Sequence, residues 1–261
     1  METETTYNCR LLEYPTNSHV TFYKKSITRN KKKEIESDNE THNEKFTKSF
    51  QNEKRTQEQE EHCKKVSLSA TKNRIYNIAR SNMWEWFITL TFDRNKTDSA
   101  DYDMIVYRLH VFMNNLQKRK CPDMKYLIVP ELHEDKEHYH FHGLLSGVDA
   151  LRFCFSGHFD KGGKPIYNIL DWTYGFTTAT QVQDTQRVSS YITKYITKDT
   201  EQRLKNKKRY LCSRNINRTE PTYHLLDEEE FLSIYADRIS YAKSIKVREA
   251  YQMINYYELS D

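Results

Sequence analysis

An α+β fold built on an antiparallel sheet is what this chain's apolar pattern predicts. Runs rich in aromatic and β-branched residues follow one another across short polar turns, which favours antiparallel neighbours. Between and after them lie segments with helical periodicity, expected to pack on one face of the sheet and leave the other for polar side chains. Only 37% of the 261 residues are hydrophobic and 30% are charged, so part of the chain is expected outside any core.

The elements follow in order. Residues 1–80 read as a charged N-terminal arm, partly disordered or helical. Residues 24–66 are mostly Lys, Glu, Asn, Thr, Ser and Gln, with too little apolar surface to offset chain ordering. Val66 to Arg80 has a helical pattern leading into a main domain expected at 81–200. Trp84 to Phe92 reads as a strand, and Asp101 to Lys120 as an amphipathic helix stopped before Pro122. Tyr126 to Leu132 is a second strand. Glu134-Asp-Lys-Glu137 is a four-residue hairpin loop, and the return strand carries His138-Tyr-His-Phe-His142. Phe155 to Asp171 holds Gly157, Gly162, Gly163 and Pro165 and reads mainly as loop. Gly175 to Val182 is a further strand and Thr185 to Asp199 a helix. Residues 201–261 read as a basic and helical C-terminal extension, with helices over Leu225 to Asp237 and Ala242 to Glu258.

Net charge is only +4, so nucleic-acid binding would need local basic patches. The best one is Lys205, Lys207, Lys208, Arg209 and Arg214, with a solvated charged surface as the plain alternative. The 19 tyrosines are compatible with base stacking. The five cysteines are scattered and contain no Cys-x-x-Cys pair, which argues against a disulfide framework and points to a reducing cytoplasm. No signal-peptide pattern or long apolar span occurs in the sequence.

Two motifs carry chemistry. In a strand His138, His140 and His142 share one face. A four-residue loop places Glu131 opposite His140, so a carboxylate and two imidazoles meet as ligands suited to a divalent metal. His138 with His140 is a second possible pair, and surface strand histidines are the plain alternative. Downstream, Tyr191-Ile-Thr-Lys-Tyr-Ile-Thr-Lys198 spaces Tyr191 and Tyr195 four residues apart, one helical turn, with Lys194 and Lys198 in a row beside them. A core stripe with Ile192 and Ile196 is the plain alternative there. Metal ligands plus tyrosines flanked by lysines fit transfer of a DNA phosphodiester to a phenol. A noncatalytic nucleic-acid-binding module and a metal-dependent hydrolase using activated water are the other readings.

These residues resemble the HUH-endonuclease superfamily, and within it the rolling-circle replication initiators of small phages and plasmids. Phe87-Ile-Thr-Leu-Thr-Phe92, Pro130-Glu131, His140-Phe-His142 with Gly143-Leu-Leu145, and Tyr191-Ile-Thr-Lys-Tyr195 carry the resemblance, in that order. Gly143-Leu-Leu145 stands where the family has it and so favours His140 and His142 as the pair. The resemblance implies a five-stranded antiparallel sheet of RNA-recognition-motif-like topology and an endonuclease domain over 81–200. It implies a Mg²⁺ or Mn²⁺ ion at Glu131, His140 and His142, and Tyr191 and Tyr195 as nucleophiles assisted by Lys194 and Lys198. The implied partner is single-stranded DNA at a replication origin, with a separate host helicase and polymerase. The tyrosines follow the histidines, which favours an initiator over a relaxase.

Overall fold

The computed structural model describes residues 4–30, 56–197, 204, 207–247 and 252–260. The chain forms two compact units, one of residues 63–219 and one of residues 1–62 with 220–261. Both are built on antiparallel sheets, and the expected α+β class is borne out.

The larger unit holds a seven-stranded sheet in the order β6-β7-β8-β3-β5-β4-β9. Its central strands are β8 (Gly175–Gln181), β3 (Trp86–Phe92), β5 (Tyr139–Ser146) and β4 (Lys125–Leu132). Strand alternation sorts their side chains. Ile88, Leu90, Ile128 and Phe141 point to one face, where Ile105, Leu109 and Met113 of α2 (Tyr102–Arg119) bury against them. Helix α2 is capped by the Asp101 carboxylate, which accepts from the Asp103 and Met104 amides at 2.9 and 3.2 Å. Leu127, Val129 and Leu144 point to the other face, together with Ile75 and Ile78 of α1 (Gln57–Arg80) and Ile192 of α3 (Thr185–Ile192). Helices therefore lie on both faces instead of one, and the second face is shared between apolar packing and the polar site.

Phe155 to Asp171, read as mainly loop, is a hairpin of β6 (Phe153–Phe159) and β7 (Pro165–Ile169). Its glycines serve the hairpin: Gly157, with φ of 82°, sits where the register shifts between Phe155 and Phe159, and Gly163, with φ of 77°, sits in the turn. That hairpin and the two-residue β9 (Leu211–Cys212) take the sheet beyond the five strands the resemblance implies.

The smaller unit carries a sheet in the order β10-β1-β2-β12-β11. Residues 4–30, expected in the arm, form β1 (Glu4–Tyr14) and β2 (Asn17–Asn30). Residues 31–55 of the expected arm lie outside the described residues. The helix expected over Ala242 to Glu258 is instead β11 (Ile239–Val247) and β12 (Gln252–Ser260). The helix expected over Leu225 to Asp237 is present as α4 (Glu228–Tyr235) plus one 3-10 turn, and β10 (Thr222–His224) completes the sheet. Phe231 of α4 packs on Cys9, Val20, Phe22 and Leu259. Among the described residues no helix is long and apolar enough to cross a membrane.

Candidate metal centre and tyrosine pair

The hairpin register is the one the sequence predicts. Glu131 pairs with His140, and Leu132 with Tyr139. The loop closes through the His133 amide on the His138 carbonyl at 2.7 Å, with Lys136 at φ of 58°. Asp135 fixes the turn by accepting from the Glu137 and His138 amides at 2.9 and 3.0 Å. Those two bonds, with His138 Nδ1 and Arg94, hold its carboxyl well below the usual carboxylate range. His138 Nδ1 lies 2.9 Å from Asp135 Oδ2, so this imidazole is engaged in the loop. His133 makes an edge contact with His140 at 5.5 Å between ring centres.

Three ligand atoms converge on one face. Glu131 Oε2 is 2.7 Å from Nε2 of His140 and 2.7 Å from Nε2 of His142, and the two nitrogens are 3.3 Å apart. A divalent ion with bonds of about 2.1 Å sets cis ligands roughly 3 Å apart, so small side-chain shifts suit the trio to an ion of the Mg²⁺ or Mn²⁺ class. Burial pushes the Glu131 carboxyl up, but the bonds and charges of the two imidazoles outweigh it and hold the group at about 2. Burial pushes the His142 imidazole down, against the opposing pull of Glu131. Both shifts keep the ligands in their metal-binding protonation states at neutral pH.

Thr89 completes the centre. Its Oγ1 lies 3.1 Å from His142 Nδ1. A hydroxyl donates or accepts, so it serves either tautomer: it donates when Nε2 carries the hydrogen toward Glu131, and accepts when Nε2 is freed for a metal. Thr89 is paired with His142 across the β3–β5 ladder. Sequence reasoning found the strand but missed this role, because nothing local fixes how β3 aligns with β5. Gly143 follows the histidines for a packing reason. A Cβ there would stand 2.2 Å from Ile128 Cδ1 in the buried layer beneath the site.

The tyrosines come to the same face. Helix α3 starts on Asp184, whose carboxylate accepts from the Arg187 amide at 3.0 Å. It ends at Ile192, short of the expected Asp199, and a 3-10 turn follows over Thr193–Tyr195. Ser189 and Thr193 donate to the carbonyls of Thr185 and Ser190 at 2.6 and 2.7 Å, back-bonding that loosens a helix. Ile192 and Ile196 are buried and pin the segment. So the core-stripe alternative describes the isoleucines, and the tyrosines face the site.

Tyr195 stacks on His142 with 3.5 Å between ring centres and 17° between planes. Tyr191 meets Tyr195 edge-on at 5.4 Å, and Phe87 contacts both. Tyr191 is exposed, and Lys194 Nζ sits 5.3 Å from its ring centre. Burial, a hydrogen bond with Tyr191 and the nearby charges of Tyr191 and Glu131 hold the Tyr195 phenol well above its ordinary value. An open groove of about 1020 Å³ runs past the pair, with Lys164, Arg187 and Lys194 on its walls.

The basic stretch is divided. Lys207 pairs with Asp103 at 2.9 Å, and Arg209 donates to Ser67 and Thr71 of α1 at 2.7 and 2.8 Å. Lys208 and Arg214 are exposed. Lys198 and Lys205 lie outside the described residues.

Residues 85–200 match the model of a protein family described as replication-associated protein of the ORF2 kind. No curated protein and no solved structure matches the chain. The matched span runs from β3 to the tyrosine segment and contains Glu131, His140, His142, Tyr191 and Tyr195.

Proposed function

We propose that this chain is an HUH-type replication initiator that nicks single-stranded origin DNA with a tyrosine and later rejoins it. The observation that carries this reading is the stack of Tyr195 on His142, which puts a phenol against the candidate metal ligands. The family match over residues 85–200 supports replication as the setting.

A divalent ion held by Glu131, His140 and His142 would supply Lewis-acid polarisation of a nonbridging phosphate oxygen. The chain's own groups do the rest. A phenol with an ordinary pKa of about 10 is mostly protonated at neutral pH, and Tyr195 more so. Its proton must therefore leave as the O–P bond forms, and Lys194 beside Tyr191 favours the phenolate there. Attack forms a Tyr–O–P bond and breaks the bond from phosphorus to the 3′ oxygen, which takes up a proton. The products are a 5′-phosphotyrosyl link and a free 3′-OH for a separate polymerase. The link conserves the ester bond, so a later attack rejoins the strand. Two adjacent phenols let one hold DNA while the other attacks.

The test is incubation with Mn²⁺ and single-stranded oligonucleotides tiled across a cognate origin. Wild type gives a covalent adduct, each single Tyr→Phe variant gives less, and Tyr191→Phe with Tyr195→Phe gives none. Cleavage without a protein-linked product would favour activated water instead.

A further inference from the structure

We infer that the smaller unit presents a second single-strand binding platform, formed by the sheet face opposite α4. Strand pairing assigns the face. Arg10 is paired with Thr21, Thr21 with Tyr256, and Tyr256 with Lys243, so these four point the same way. Tyr23 lies two residues beyond Thr21 and pairs with Ile254, which pairs with Ile245. The register shift between Tyr7 and Cys9 keeps Tyr7 on this face while Cys9 turns toward Phe231. Tyr223 is paired with Arg10 and joins it.

The chemistry of this face is aromatic and cationic. Tyr241 and Tyr256 are 50% and 37% exposed, which leaves ring surface for stacking. Lys25, Arg29 and Lys243 are exposed beside them. Arg29 donates to the Tyr223 hydroxyl at 2.9 Å, with its guanidinium 5.5 Å from the ring centre, so ring and cation are held together. The acidic Glu258 on this face is paired with His19 at 3.2 Å. Four cations against one paired carboxylate give the face a positive sign, although the chain as a whole is near neutral at +4. Tyrosines interleaved with lysine and arginine on an open sheet suit unpaired bases and a phosphate backbone. A duplex hides its base faces and gains little there. The occupant is single-stranded DNA, and that choice over RNA rests on the proposed function. The platform itself does not.

The test uses the full chain and a fluorescent thymidine 20-mer, followed by anisotropy at several salt concentrations. Tyr241→Ala and Tyr256→Ala should each weaken binding about tenfold, the size expected for one stacked base. Tyr256→Phe keeps the ring and should bind near wild type. Lys243→Gln, an exposed change that leaves folding intact, should reduce the salt slope by about 0.7, and Lys246→Gln on the opposite face should not. Thermal unfolding of each variant separates lost binding from lost fold. Wild-type affinity in the folded tyrosine variants, or equal effects at Lys243 and Lys246, overturns the platform. Tighter binding of a matched uridine 20-mer overturns the choice of DNA. Adduct formation on a short oligonucleotide spanning only the nick should persist in every platform variant. Its absence from wild type as well would count against the tyrosine chemistry and leave the platform standing.

Discussion

Replacing His142 with alanine reaches both halves of the proposed centre at once. The change removes one of three ligand atoms and one of the two imidazole bonds that Glu131 Oε2 receives at 2.7 Å. It also removes the ring on which Tyr195 lies, at 3.5 Å between centres. Loss of a partner that merely orients a ligand costs roughly 10- to 100-fold in metal affinity or activity, so loss of a ligand should cost at least that. Loss of one preorganised electrostatic contact to the transition state costs roughly 100- to 1000-fold in rate. Adduct formation at fixed Mn²⁺ should therefore fall by at least about 100-fold. The side chain is only 6% exposed, so the cavity should also lower stability by about 1–3 kcal/mol, which thermal unfolding measures. Oligonucleotide affinity should change little, because the groove cations are untouched. A folded His142→Ala protein that forms adduct within about threefold of wild type would refute the reasoning, since that loss is far below any expected for a ligand.

Other perturbations give further expectations. With metal chelated, stability should fall as pH drops below about 6.5, because unfolded His142 binds a proton there that the buried side chain resists. A second loss should follow between about 4.5 and 2, as Glu131 gives up the ionised state that its two imidazole partners favour. Melting curves across that pH range check both, and His142→Ala should lack the first step. Lys194→Ala should slow adduct formation about tenfold with little change in DNA affinity, since Lys194 acts on a phenol and contributes one of several groove cations. Single-turnover kinetics measure it. Gly175→Ala should cost about 3 kcal/mol or more in denaturant unfolding, because its Cβ would stand 2.3 Å from the Thr91 carbonyl oxygen and 2.5 Å from the Asp93 amide nitrogen, backbone that has no room to yield.

The centre was legible in the sequence because its geometry is local. A four-residue loop and the two-residue strand period are enough to set Glu131 against His140 and bring His142 to the same face. The tyrosine spacing was legible too, although Tyr195 turned out to sit on a 3-10 turn where an α-helix was expected. What escaped was long-range. Thr89 and Phe87 join the site only through the pairing of β3 with β5, more than fifty residues away in sequence. The residues of β12 pair with those of β2 from the other end of the chain. Their doubled apolar positions, such as Met253-Ile254 and Tyr256-Tyr257, obscure the strand period and read as helix. In β6 and β7 the glycines that signal loop are a register shift and a turn within a hairpin. Arg209 looked like a phosphate ligand by composition, but its bonds to Ser67 and Thr71 tie its segment to α1.

Mass spectrometry of the proteolysed adduct tests the central claim most directly. An oligonucleotide nicked in Mn²⁺ should leave its 5′ phosphate on the peptide containing Tyr191 and Tyr195, and fragmentation should place it on one of those two phenols. A nucleotide mapped to any other residue, or efficient nicking with no modified peptide at all, would contradict the account.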